Sequence, residues 1–314
     1  MIKMAYLDDR ALKDRIVSDY VRRFDTTKLQ RKWLKVRSSI PELRSFTFTI
    51  KELLASDFGI LVKIAKAYDK VLFGVSKERR EEIKKKVQAV FNYNHNYQSN
   101  YITPFFREHA EELKLYTCHY CDITYINTFE YVEKEGSKWR KTSHFDLDHV
   151  LDKSHYPILA LSFFNLVPSC PVCNERLKGS KPLSKSDRIL KLLSPTDPKY
   201  DFAGSVRITL LPLDEYKRPF LEHPDNYELK FDCHKNKEYN KLVTCFRLNE
   251  RYDFHKCEAL RIKDLKTKYP DANIMTIATK LGYPFDEVKE DIFGLRFIRD
   301  GHRCFSKLRQ DMLK

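Results

Sequence analysis

The chain has no run of apolar residues that approaches the roughly 18 to 20 needed to span a bilayer, and the segment after Met1 lacks the apolar core of a signal peptide. Neither a membrane protein nor a secreted one is expected, and the sequence reads as cytosolic. Internal repeats and low-complexity tracts are also missing. Acid is in short supply: 44 Asp and Glu face 58 Lys and Arg. The resulting pI near 9.2 favours a polyanionic partner, with nucleic acid ahead of a membrane surface. Cysteine is present but not in a disulfide pattern. Of the eight, four form two close pairs and the rest (Cys233, Cys245, Cys257, Cys304) are scattered, which points to metal binding in a reducing compartment. With 314 residues the chain has room for a sizeable core and two or three domains.

The stretch from Cys118 to Gly179 holds most of the chemistry. Cys118-His-Tyr-Cys121 and Cys170-Pro-Val-Cys173 are two-residue-spaced pairs separated by 48 residues, and four thiolates so placed can close a tetrahedral structural Zn²⁺ site. Between them, Phe145 and Leu147 alternate with Asp146 and Asp148, so a strand ending in Asp148-His149 is expected to present both functional side chains. An imidazole that titrates near neutrality suits a general base, and a carboxylate suits Mg²⁺ or Mn²⁺. Asn174, just past the second cysteine pair, offers an amide carbonyl as a further ligand. His119, His144 and His155 read as solvated, or as neighbours that support a ligand, in preference to ligands themselves, His144 being the best placed of them to lie near a metal. A second zinc set drawn from Cys233, His234, Cys245, His255 and Cys257 has no common ligand spacing.

Asp148-His149, Asn165 and Asn174, in that order and spacing and framed by the two cysteine pairs, resemble the HNH (ββα-metal) nuclease motif. The longer string from Asp148 through Lys153, Tyr156 and Pro157 to Phe164-Asn165-Leu166 looks like the HNH subunits of Septu-type and retron-associated anti-phage systems. A weaker echo lies at Phe246–His255. The motif covers about a fifth of the chain, and the first hundred residues add nothing to it. The resemblance implies a metal-dependent endonuclease that acts beside an ATPase subunit. It assigns His149 the base, Asp148 and Asn174 the catalytic Mg²⁺ or Mn²⁺, and Asn165 an orienting role through backbone hydrogen bonds in the His149 loop. Lys178 is the candidate contact to the scissile phosphate, with Arg176 and Lys181 as further substrate contacts.

Three regions are expected in an α+β protein: a basic helical N-terminal region (1–100), a zinc-stapled HNH module (101–185) and a mixed C-terminal region (186–314). Residues 1–100 carry 22 basic and 12 acidic side chains, most of the net +14. Their apolar residues recur at helical intervals, as in Leu12, Ile16, Tyr20 and Phe24. One basic run spans Arg22 to Arg37 around Trp33, and another spans Arg79 to Lys86. Either is a solvated helix face or a nucleic-acid contact. Asn92–Asn100 reads as a polar loop, and a hairpin turning at Glu133–Lys138 feeds the catalytic strand. Strands are expected at Val206–Leu211, Tyr227–Cys233 and Lys241–Leu248, followed by a helix capped by Asn249. The chemistry needs no 2′-hydroxyl, which allows DNA, the favoured substrate, and leaves RNA such as tRNA open as well. Two other classes fit the same residues: a non-catalytic zinc adaptor for nucleic acid, and a stand-alone restriction-like or homing enzyme.

Overall fold

The computed structural model describes residues 2–133, 139–213, 223–295 and 303–313. It is an α+β structure in which helices predominate and the strands form three separate antiparallel pairs. The first region is built from α1 (Arg10–Arg22), α2 (Thr26–Ser39), α3 (Ile50–Ala55), α4 (Phe58–Val71) and α5 (Lys77–Phe91). Side-chain oxygens start four of them. Asp9, Asp25 and Ser76 each accept a backbone N–H, and Thr49 forms a reciprocal capping box with Glu52. Trp33 lies on the inner face of α2, fully buried, and donates from Nε1 to Phe48 O at 3.2 Å.

The expected polar loop after α5 is instead a helix of π type, Tyr93–Ile102, running into α6 (Thr103–Glu108). Its tyrosines supply the apolar face that its asparagines conceal in the sequence: Tyr97 and Tyr101 both lie against Phe24. Next come β1 (Thr128–Tyr131) and β2 (Arg140–Ser143), paired as a hairpin. Most of the turn expected to join them, residues 134–138, lies outside the described residues.

The motif strands are β3 (Asp146–His149) and β4 (Leu166–Ser169), antiparallel with Asp148 opposite Val167 and His149 opposite Leu166. A π-type helix, Val172–Lys178, follows and packs on β3. Between the strands, 3₁₀ turns at Pro157–Leu159 and Phe163–Asn165 carry the buried segment Ile158–Phe164. Phe163 is its anchor, surrounded by Tyr6, Tyr20, Phe105, Phe106 and Phe164. The N-terminal helices thus share one continuous core with the motif.

The remainder contains α7 (Asp187–Leu193), α8 (Phe202–Ser205), the pair β5 (Arg207–Pro212) and β6 (Tyr227–Asp232), then α9 (Asn240–Cys245), α10 (Leu248–Asp253), α11 (Lys256–Lys268), α12 (Asp271–Leu281), α13 (Phe285–Phe293) and α14 (Ser306–Leu313). The strand expected at Lys241–Leu248 is helical instead. Leu242 and Phe246, one turn apart, are both buried, and Arg247 at φ 50° breaks the run into α9 and α10. Asn249 is not a cap. It sits inside α10 and accepts a hydrogen bond from Phe231 N in β6. A smaller apolar cluster, Ile262, Ile274, Ala278, Val288 and Phe293, holds α11, α12 and α13 together. No helix among the described residues is long and apolar enough to cross a membrane.

Candidate metal centre and catalytic pocket

Cys118, Cys121, Cys170 and Cys173 come together as a buried cluster, with their ligand atoms all within 4.8 Å of one another. A Zn–S bond of about 2.3 Å in a tetrahedron places sulfurs about 3.8 Å apart, and Cys121 Sγ lies 4.0 Å from Cys170 Sγ. Four thiolates around Zn²⁺ leave two net negative charges, and the surroundings answer them. Arg251 donates to Cys173 Sγ at 3.3 Å, and Cys170 N donates to Cys118 Sγ at 3.3 Å. The donors, spacing and burial therefore fit a structural zinc site.

The echo segment Phe246–His255 packs directly on this centre. Phe246 stacks on Tyr120 with ring centroids 4.4 Å apart, and the Tyr252 hydroxyl donates to Cys121 O at 2.7 Å. Both chain ends are tied to the first knuckle as well. Ile2 N donates to His119 O, and the His119 ring, buried, meets Ile2 O through Nδ1 at 2.8 Å. Asp122, buried, accepts from Thr117 and from Lys307 N in α14. Arg251, Tyr252 and Phe246 are the residues that sequence reasoning missed here. Their only signal was the echo itself. Cys233, His234, Cys245, His255 and Cys257 form no second metal cluster among the described residues: Cys233 and His234 follow β6, Cys245 ends α9, and His255 and Cys257 lie at the start of α11.

Asp148, His149 and Asn174 line one pocket of about 330 Å³, together with Asp152, Lys153 and Glu175. Strand alternation turns Asp146 and Asp148 toward the π-type helix, where they meet residues one turn apart. Asn174 Nδ2 lies 3.4 Å from Asp146 Oδ2, and Lys178 Nζ donates to Asp148 Oδ1 at 2.8 Å. Asp148 is only 2% exposed, and its second oxygen accepts from Tyr120 OH at 2.7 Å. Lys178, 1% exposed, also donates to His149 O at 2.9 Å. This corrects the expectation of a lysine free to meet a phosphate: the π-type turn folds its ammonium inward over β3. Gly179 ends that turn at φ 53°, ψ −134°, and its N–H returns to Asn174 O at 2.8 Å.

His149 is not solvent-facing. It is 5% exposed, and its Nε2 lies 2.9 Å from Ala160 O. A carbonyl only accepts, so Nε2 carries the proton and Nδ1 is left as the acceptor of a neutral ring. Burial, with the nearby Lys153 charge, lowers its pKa to about 3, which keeps the ring unprotonated at neutral pH and also makes it a weaker base than a free imidazole. Tyr93 from the N-terminal π-type helix sets its edge against the imidazole, with centroids 4.6 Å apart, and Lys153 lies over the Tyr93 ring at 5.1 Å. Asn165, fully buried, receives Leu151 N at 2.7 Å and donates to Leu151 O and Leu159 O. It therefore fixes both ends of the loop that supplies Ala160.

Asp148 and Asn174 bring to this pocket oxygen ligands of the kind a hard divalent cation takes, and the Lys178 ammonium holds the position of positive charge beside Asp148 Oδ1. Among the remaining candidates, Arg176 and Lys181 are exposed beside the π-type turn. His155 pairs with Asp69 at 3.4 Å beside a neighbouring cavity of about 520 Å³. His144 sits apart from the pocket, exposed on the β1–β2 hairpin against Phe129 with Nδ1 3.3 Å from Asn127 Oδ1. Comparison with protein-family profiles, with curated proteins and with solved structures returned no match.

Proposed function

We propose that the chain is a metal-dependent endonuclease of the HNH type that hydrolyses phosphodiester bonds in nucleic acid, DNA being favoured over RNA. The observation that carries this reading is His149. It is a neutral imidazole whose proton is fixed on Nε2 by Ala160 O, at the wall of the pocket that Asp148 and Asn174 also line. An acceptor nitrogen held in that way can take a proton from an attacking water. Asp148 and Asn174 would hold a Mg²⁺ or Mn²⁺ ion, which supplies charge neutralisation for the phosphate and the leaving oxygen. Asn165 holds the loop, and Lys178 keeps Asp148 in place. The zinc centre fixes the π-type helix, and with it Asn174, against β3.

His149→Ala and His149→Gln should each cut cleavage of a labelled oligonucleotide by ~10² to 10⁴ while circular dichroism and zinc content stay at wild-type levels. Cleavage at wild-type rate by a folded variant would remove His149 from the mechanism. A second reading is favoured by one observation, the enclosure of Asp148 between Tyr120 and Lys178: a zinc adaptor that binds nucleic acid without cutting it. Nucleic-acid binding by wild type with no cleavage at any Mg²⁺ or Mn²⁺ concentration would select it. The resemblance to Septu-type subunits extends the first reading to a defence effector acting with an ATPase.

A further inference from the structure

The two basic runs of the N-terminal region differ in a way that the sequence does not reveal. In the second, Arg79 is bound to Glu42 and Glu82, Lys84 to Glu81 and Lys86 to Glu82, so its charge is largely answered internally. In the first, Arg22 pairs with Asp19 and Arg23 with Glu108. Lys28, Arg31, Lys32 and Lys35, by contrast, are all exposed along α2, and none of the four forms an ion pair among the described residues. Their spacing of three, four and seven residues places them on one stripe.

Aromatic rings adjoin that stripe. Lys28 and Lys32 share a hollow of about 290 Å³ with Asn96, Tyr97 and Tyr101 of the π-type helix and with Asp25, whose carboxylate is engaged in capping α2 through Lys28 N. The preceding residues of the same helix, Tyr93 to His95, line a further hollow of about 180 Å³ together with Lys153 and Ser154. Lys153 and Ser154 also line the catalytic pocket. Two hollows thus adjoin one helix, and the one at Tyr93 to His95 shares Lys153 and Ser154 with the His149 pocket. Cations that form no ion pair among the described residues, set beside half-buried tyrosines, are the elements of a single-strand platform. The cations meet phosphates and the rings take unstacked bases.

We infer that a single-stranded nucleic acid lies along the Tyr93–Ile102 helix, with its backbone held by Lys28 and Lys32 and a base resting on Tyr101, and that this track delivers the strand to the His149 pocket. The inference rests on the nuclease reading for its destination, but not for its binding surface. It deepens that reading by making the substrate single-stranded at the point of entry.

The test is binding, not cleavage. Fluorescence anisotropy of a labelled oligo-dT, an oligo-U and a duplex of the same length, in EDTA, is measured for wild type, for Lys28→Glu with Lys32→Glu, and for Lys84→Gln with Lys86→Gln. Wild type should prefer the single strands. The Lys28/Lys32 variant should lose on the order of tenfold or more in affinity, with a salt dependence shallower by about 1.4, as two lost phosphate contacts require. The Lys84/Lys86 variant should bind as wild type does, and Tyr101→Ala should weaken the single strands by about tenfold and leave the duplex unchanged. Unaltered single-strand binding by the Lys28/Lys32 variant, or equal losses for duplex and single strand, would overturn the track. If that happens while wild type still cleaves, the nuclease reading survives alone. If wild type binds no nucleic acid, both fall.

Discussion

At the scale of single residues, the pair Asp148–Lys178 decides most. Both are almost fully buried, and breaking such a pair by removing one partner usually costs about 3 to 5 kcal/mol, because a lone charge is left in a poor solvent for it. Lys178→Met should therefore lower the melting temperature sharply, leaving Asp148 with only Tyr120. Adding Asp148→Asn to it should recover most of the loss. Millimolar Mn²⁺ should also restabilise the single variant but not the double, since the ion takes over the role of the ammonium only where the carboxylate remains. Thermal melts of the two variants with and without Mn²⁺ check both expectations. A single variant that melts as wild type does would mean that the ion pair is dispensable.

At the scale of elements, the π-type turn that carries Asn174 and Lys178 depends on Gly179. Its φ of 53° with ψ of −134° is a region essentially reserved for glycine, and a side chain there stores on the order of 1 to 3 kcal/mol of strain. Gly179→Ala should lower stability by about that amount and slow cleavage further by shifting Asn174. Chemical denaturation measures the first effect and initial rates the second. Unchanged stability would show that the turn relaxes freely.

Short elements were also where the sequence was least legible. The cysteine spacing and the alternation through Asp146–His149 specify their geometry locally, so the zinc cluster and β3 were readable. The apolar run Leu242-Val-Thr-Cys-Phe246 fits either period over so few residues, and only the burial of Leu242 and Phe246 together makes it a helix. The asparagines of the Tyr93–Ile102 helix hid tyrosines whose partner, Phe24, is about seventy positions away. Nothing near His149 in sequence announces Tyr93, whose ring packs against it. Lys178 read as a phosphate contact because neither the inward fold of its turn nor the proximity of Tyr120 can be counted off the chain.

At the scale of the whole molecule, the surplus positive charge raises the question of restraint, because phosphate contacts carry affinity but little sequence information. An ATPase partner encoded nearby is the proposed restraint. Co-expression of a tagged chain with the neighbouring ATPase gene should yield a stable complex on size exclusion, and protection of cells against phage should require both genes and an intact His149. Protection by the isolated chain would favour a stand-alone enzyme. The zinc centre also has a bearing on how the protein is made. Its ligands are complete at Cys173, yet Phe246, Arg251, Tyr252 and the Asp122 contact to Lys307 are made only some seventy residues or more later. A chain stalled on the ribosome before Phe246 therefore holds four thiolates that have neither their counter-charge nor their cover. Such truncated chains should surrender zinc to a chromogenic chelator far faster than the full-length protein does. The cysteine knuckles would then hold their metal securely only after residues far downstream had been made and had folded back onto them.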